Sequence, residues 1–519
     1  MDAQVYDVYK FGAKGDGSTL DTEAIQRAID ECHKNGGGKV YVHSGEFVSG
    51  TVYLKSNVVL HVEAGARLRA SNSLEDFPIT PSKYPSITEE PVTNKMLIYA
   101  EDVENISILG RGTIDGNGDY WVDGPYGKPT FSLRPRIIHL RGCENIVIRD
   151  ITLYNAASWV QSYQSCRNLV IDAITVNSRA NKDIEKERFY DAPGRNNDGL
   201  DLIDCQQVRI SNCFINSGDD AIVLKSFSPN ESCSNIVVSN CVVSANASGI
   251  KMGTETAGGF RDINIQNCTI YDTRNEGIAL LTADGAFLER INVNNITLRN
   301  IKGAAIAIRL GTRNRSYRKD SKTKIPYIRD ISITNVQGTG ISKDYGCNIT
   351  GTAKIPVANI ALRNISLEFE GGGNSEDAER EIPELEKAYP SGRTLGTIPA
   401  YGIYIRHAKN MVLENMRLTF KEKDSRPAIV ADDVEQLEIR NLVANGGLKT
   451  PGLIRFNNVQ GGLISQSRAL DEMAVLLRVE GSTSKDILLL NNRLKKVRKS
   501  IEKAKDVLTT SATEKGTIR

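Results

Sequence analysis

Gln207-Val-Arg-Ile-Ser-Asn-Cys213, Asn235-Ile-Val-Val-Ser-Asn-Cys241, Asp262-Ile-Asn-Ile-Gln-Asn-Cys268 and Arg290-Ile-Asn-Val-Asn-Asn-Ile296 follow one another at intervals of 28, 27 and 28 residues. The same phrase recurs at Asn145, Asn168, Asp330, Asn359, Asn410, Gln436 and Asp486, and more weakly at Asn105. Each copy carries short alternating strands rich in Val and Ile, separated by Asn, Gly and Ser turns. A unit this small cannot bury its own apolar face, so successive units must stack. Strands that return so soon, with no helix between them, leave no room for βαβ crossovers. The expected fold is all-β: a single-stranded right-handed parallel β-helix spanning residues 1–519 as one domain.

The cysteines support that register. Cys213, Cys241 and Cys268 each follow the second Asn of the phrase, and Cys143, Cys166, Cys205 and Cys233 each stand two residues before its first position. Both sets read as columns of small buried side chains rather than disulfides or metal ligands, and a total of nine cysteines is odd in any case. Asn212, Asn240, Asn267, Asn295, Asn335, Asn364, Asn415 and Asn441 form a third column, suited to the left-handed bend and to amide ladders between coils.

An open end of such a stack exposes unpaired backbone groups. Residues 21–34 (DTEAIQRAIDECHK) place Ala24, Ile25, Ala28, Ile29 and Cys32 on one helical face before Gly36-Gly37-Gly38, and are expected to cap the N-terminal end. Arg493–Lys505 reads as a basic, helix-like terminal element within a tail at 493–519. It lacks the interleaved aromatics of a nucleic-acid surface, and the net charge of +2 gives no global reason to expect nucleic acid. No apolar stretch reaches the length of a membrane span. Met1-Asp2-Ala3-Gln4 leads directly into a strand-like segment without a signal region.

Four interruptions break the period, at about 72–96, 113–136, 178–196 and 371–398. Insertions into a solenoid commonly build its binding face. Between them lies an acidic cluster: Asn196-Asn197-Asp198-Gly199-Leu200-Asp201, then Gly218-Asp219-Asp220-Ala221-Ile222 one coil later. Aligning Gly199-Leu200 with Ala221-Ile222 sets Asp220 over Asp198, with Asp219 beside them. Strands stack about 4.8 Å apart, so three carboxylates share a few ångströms. Their mutual repulsion should raise at least one pKa, giving the acid and base that glycosidic cleavage needs. An aspartate alone often does no more than cap a turn, but a solenoid gains nothing from crowding three.

With those residues the chain resembles glycoside hydrolase family 28, the polygalacturonases and rhamnogalacturonases. The resemblance includes Asp7-Val8-Tyr9-Lys10-Phe11-Gly12-Ala13-Lys14-Gly15-Asp16-Gly17, Gly110-Arg111-Gly112-Thr113-Ile114-Asp115-Gly116, the triplet 196–198 and Gly218-Asp219-Asp220. It implies that Asp219 is the general acid, that Asp198 and Asp220 activate water for single-step inverting hydrolysis, and that no metal or other cofactor takes part. Two family features are missing. Ala247-Ser248-Gly249 stands where Gly-His-Gly is usual, and Ala279-Leu280-Leu281 where Arg-Ile-Lys is usual.

Lys225, Lys251 and Arg309 lie at related offsets on neighbouring coils, and Glu276 shares the column of Asp198 and Asp220. Together with Ser248, Asn196, Asp201 and, more weakly, Arg406 beside His407, they are the candidate substrate-binding residues. Trp159, Trp121 and Tyr120 are candidates for stacking on sugar or for burial. A neutral sugar beside the cleaved bond would explain the missing cations. The expected enzyme is therefore an exo-acting galacturonidase on rhamnogalacturonan fragments, with the insertion 371–398 closing one end of the groove. The alternatives are an exo-polygalacturonase on homogalacturonan, a lyase, or a non-catalytic β-helix adhesin. The expected partner is an acidic pectic saccharide, the expected state a monomer, and the expected place periplasmic or extracellular, inferred from the substrate.

Overall fold

A computed structural model of the chain describes residues 4–84, 95–123, 133–179, 196–315 and 323–518. Two compact units emerge, the first built mainly of Met1–Ala247, the second of Ser248–Thr256, Arg261–Arg315 and Thr323–Arg519.

In the first unit the repeated phrase builds one parallel ladder, through Glu104–Leu109, Glu144–Arg149, Arg167–Asp172, Gln206–Ser211 and Cys233–Ser239. Arg136–Arg141, Gln161–Gln164, Leu200–Ile203 and Ile222–Ser226 make a second. Thr113–Asp115, Thr152–Tyr154, Thr175–Asn177, Phe214–Ser217 and Val242–Ala245 make a third. Three strands per coil, each paired with its counterpart one coil on, define a parallel β-helix. The second unit repeats the pattern through Ile278–Thr282, Ile306–Leu310, Cys347–Thr350, Ile403–Glu422, Ile429–Ala444 and Ile454–Ser465.

The alternation explains the stacking. Ile146, Ile148, Leu169, Ile171, Val208, Ile210, Ile236 and Val238 are all buried in the first unit's interior, each side chain stabilising the fold by about 1.5–3 kcal/mol relative to exposure. The cysteines are free and buried, and Cys143 and Cys205 turn their thiols to the carbonyls of Arg141 and Tyr163, each at 3.2 Å. The asparagines sit at bends with positive φ. Their amides bond from coil to coil: Asn168 to Asn145 at 2.8 Å in the first unit, and Asn364 to Asn335 and Asn415 to Asn364 at 2.9 Å in the second.

The helix Thr22–Lys34 buries the five side chains expected of it. Gly37 follows at φ +117, where a Cβ would come within 2.4 Å of the Asn57 carbonyl. The C-terminal expectation is corrected. Val497–Lys503 is a strand, not a helix, paired in register with Met473–Glu480, and Ala512–Lys515 pairs with Lys485–Leu490. Met473, Val475, Leu477 and Val479 offer an alternating apolar edge, and pairing to it satisfies backbone groups that an isolated basic helix would leave beside an open ladder.

Of the four insertions, 371–398 is described throughout, whereas parts of 72–96, 113–136 and 178–196 lie outside the described residues. Among the described residues no helix is long and apolar enough to cross a membrane.

Candidate active site

The two acidic segments occupy equivalent turns on successive coils of the first unit. Leu200 pairs with Ile222 and Asp201 with Val223, and the Gly199 amide donates to the Asp220 carbonyl at 2.8 Å. That register sets Asp220 beside Asp198. The turns are close-packed: a Cβ on Gly218 would meet Asn197 Oδ1 at 2.4 Å, and one on Gly199 the Ala221 carbonyl at 2.7 Å. One carboxylate oxygen from each of Asp198, Asp219 and Asp220 lies within 4.8 Å of the others. Asp198 and Asp220 are each 4% exposed, whereas Asp219 is only half-buried. Asp219 Oδ1 accepts from the Asp220 amide at 2.9 Å, which orients the pair.

Lys225 supplies positive charge to this cluster. Its Nζ is 3.5 Å from Asp198 Oδ2 and 3.4 Å from Asp201 Oδ1. Burial, then the charge of Asp198, push the Asp201 carboxyl well above the usual range, against the pull of Lys225 and Arg136. Asn196 is exposed at a left-handed bend, next to Asn197, whose amide is anchored on Ser178 Oγ at 3.0 Å. Lys225 thus places a cation between two carboxylates at the edge of the cluster.

Beneath the aspartates lies a layer of which the sequence flagged Trp159 but not Arg136, His139 or Ser162. Trp159 is buried with Ile203 and Phe227. Arg136 stacks on its ring at 4.1 Å and Lys225 at 4.4 Å. Arg136 Nη1 donates to Ser162 Oγ at 3.0 Å and stands 3.2 Å from His139 Nδ1. Burial, reinforced by Arg141 and Arg136, pushes His139 well below its ordinary pKa, and burial brings the Arg136 guanidinium down to about 9. In the structure Ser162 pairs in register with Asp201 on the next coil. Trp121 is also buried, edge-on to Phe77 and Tyr120, so neither tryptophan offers an open face to sugar.

The remaining candidates belong to the second unit, where the insertion 371–398 forms a strap over the outer face. Glu276 is consumed by that strap. Its Oε1 accepts from Ser391 Oγ at 2.6 Å and from the Gly392 amide at 2.7 Å, and its Oε2 accepts from Ser248 Oγ at 2.8 Å. Glu276 and Ser248 thus have partners within the protein and anchor the strap. Arg406 pairs with Glu384 of the strap and with Asp432 at 3.4 Å. His407 bridges Glu384 at 3.1 Å and Asp433 at 2.6 Å.

Lys251 lies 6.0 Å from the Tyr389 ring, and Tyr389 Oη is bonded to Thr254 Oγ1 at 2.7 Å. Arg309 is 3% exposed. Its Nη2 donates to the Leu385 carbonyl at 2.8 Å, and burial alone lowers its pKa to about 10. Ala279 and Leu281, at the place of the family's cations, are buried with Ala304 and Ala307.

The family model of glycosyl hydrolases family 28 matches residues 32–388. A probable polygalacturonase of Vitis vinifera is 29% identical over 273 residues, 50% of this chain and 53% of that protein. An exo-poly-alpha-D-galacturonosidase of Dickeya chrysanthemi is 25% identical over 327 residues, 53% of this chain and 51% of its own length. The chain thus spans about half the length of these two relatives. The crystal structure of a hyperthermoactive exopolygalacturonase from Thermotoga maritima shares the fold, with a TM-score of 0.60 at 21% identity over 81% of this chain and 93% of that one.

Proposed function

We propose that this chain, which belongs to glycosyl hydrolases family 28, is an exo-acting hydrolase of α-galacturonosyl bonds in pectic saccharides, cutting where galacturonate adjoins rhamnose. The observation that carries the hydrolytic reading is the packing of Asp198, Asp219 and Asp220 within 4.8 Å, with Lys225 against Asp198.

Asp219, the most exposed of the three, protonates the leaving oxygen. Asp198 and Asp220, on adjacent coils about 4.8 Å apart, hold one water between them and take its proton as it attacks the anomeric carbon. The carboxylate-separation rule associates a gap this short with a retaining double displacement. Inversion here requires the water held between Asp198 and Asp220 to attack the anomeric carbon from the face opposite the leaving oxygen that Asp219 protonates. The first-formed anomer therefore tests the assignment: NMR should detect the β-anomer first from an α-linkage, and α-first product would overturn the roles.

Two features support the neighbouring neutral sugar. Positions 279 and 281 are apolar and sealed, and Ser248 is bound to Glu276, so neither place supplies a cation for a second uronate. Lys251 and Arg309 are the cations we assign to sugar carboxylates. Exo action draws on the printed name of the Dickeya chrysanthemi relative and on the long insertion 371–398, which is tied down as a strap from Arg478 and Arg455 through Arg406 to Glu276. That same relative's name favours homogalacturonan as a second reading. Export to the periplasm or beyond follows if the substrate is polymeric.

Purified protein should release single galacturonate units from rhamnogalacturonan oligosaccharides. Release from homogalacturonan alone would refute the linkage, and mixed-length products would refute exo action. Asp219→Asn should lower turnover by about 10²–10⁴-fold while calorimetric sugar binding persists; undiminished turnover would remove Asp219 as the acid.

A further inference from the structure

We propose that Trp159 is a positioning residue of the acid cluster, its indole holding the Lys225 ammonium against Asp198 so that this carboxylate stays set to bind water. That role presupposes the hydrolysis at Asp198 proposed above, and it extends the site to side chains outside the three aspartates.

All of the supporting contacts lie in the first unit. Lys225 Nζ stands 3.5 Å from Asp198 and 3.4 Å from Asp201, and 4.4 Å from the Trp159 ring centroid. Arg136 approaches the same centroid to 4.1 Å. In the ladder, the Arg136 strand precedes the coil of Trp159, and the Lys225 strand follows it by two. The ring therefore stands between two cations. The negative face of an aromatic ring attracts a cation most strongly when both are desolvated, and Lys225, Arg136 and Trp159 are all buried. Ile203 and Phe227 pack on the indole and hold it in place.

The rest of the layer fixes what the indole touches. Arg136 is anchored by Ser162 at 3.0 Å, beside a His139 that burial keeps uncharged. Among the described residues, Asp201 meets Lys225 at 3.4 Å as an ion pair, and its carboxylate oxygens take no further hydrogen bond. Burial and the neighbouring Asp198 make Asp201 hold its proton more tightly than usual, which directs the lysine's charge towards Asp198. Among the described residues, the charged and titratable groups around Asp198 include Lys225, Asp201, Asp219, Asp220 and Arg136, with Arg141 and His139 behind. A nearby cation lowers a carboxyl's pKa. An ammonium set free to move away would raise it, and the acid limb of activity would shift to higher pH.

Sugar stacking and positioning predict different kinetics. A stacking residue would raise KM on removal, but Trp159 is 3% exposed. For Trp159→Leu we expect kcat to fall about tenfold, KM to stay within about twofold, and the acid limb of the pH–rate profile to rise by about half a unit or more. Trp159→Phe, which keeps a weaker ring, should recover much of both. Wild-type kcat and pH limb in the leucine variant, or a raised KM with kcat retained, would overturn the assignment.

Should the leucine variant fail to fold, fluorinated tryptophan incorporated at Trp121 and Trp159 weakens the ring's negative face without changing its shape. The limb should move in the same direction, and an unmoved limb refutes the proposal. Trp121→Phe carrying the same fluorinated residue isolates Trp159. Full turnover in Asp219→Asn would instead remove the hydrolytic premise, whatever Trp159 does.

Discussion

Glu276→Gln tests whether the strap is pinned by one buried carboxylate. Glu276 accepts hydrogen bonds from Ser391 Oγ at 2.6 Å, the Gly392 amide at 2.7 Å and Ser248 Oγ at 2.8 Å. Bonds to a charged acceptor contribute about 1.5–3 kcal/mol each, and neutral ones about 0.5–1.5. Replacing the carboxylate with an amide of the same shape therefore weakens the anchor by roughly 1 kcal/mol per bond, or about 3 kcal/mol in all. At about 1.4 kcal/mol per factor of ten, local opening of the strap should become about a hundredfold more frequent. The Gly392 amide reports this directly, since its hydrogen goes to Glu276. Native-state hydrogen exchange should show it exchanging about a hundredfold faster, with core amides such as Leu280 and Ile308 unchanged. An unaltered Gly392 rate would show that the anchor is not limiting. Equal loss of protection at Leu280 would show that the strap does not open by itself. If the strap also dictates exo action, the variant should release some longer products from polymer.

Three further outcomes follow from the geometry. Asn364 donates to Asn335 and accepts from Asn415, both at 2.9 Å, at φ +56; Asn364→Ala should cost about 1–3 kcal/mol in denaturant unfolding, and Asn364→Gly should recover only the backbone part. Burial pushes the Asp204 carboxyl up to about 7 despite bonds from Ser226, Phe227 and Ser228. The folded chain keeps a proton there that the unfolded chain has lost, so this group's contribution to stability falls as pH rises from about 4 to about 7. Thermal melts of wild type and Asp204→Asn should diverge across that window, and parallel curves would refute the linkage. With Lys225 supplying the positive charge at the aspartates, EDTA should leave hydrolysis unchanged, and loss of activity restored by a divalent cation would call for a metal.

The fold was readable because a β-helix is nearly one-dimensional. Intervals of 28, 27 and 28 residues specify which side chains meet on neighbouring coils, so the cysteine and asparagine columns could be deduced from spacing, and matching Gly199-Leu200 to Ala221-Ile222 gave the offset of Asp220 from Asp198. The stack also continues through Val497–Lys503, where the basic composition of Arg493–Lys505 suggested a helix. There the alternating edge of Met473–Glu480 outweighs local propensity, as usually happens when a strand finds a partner.

The aspartate cluster and the coil register thus follow from residue spacing, because each coil's neighbour in space is also its neighbour in the repeat. Glu276 and Ser391 meet across 115 positions of chain, and the insertion that joins them has no period from which its path could be inferred. The same holds for Trp159 between Arg136 and Lys225: that sandwich depends on rotamers and burial, which spacing does not encode. The chain order of Asp198, Asp219 and Asp220 pointed to the proposed site. Packing alone committed Glu276, Ser248 and Arg406 to the strap and set Lys225 against Asp198.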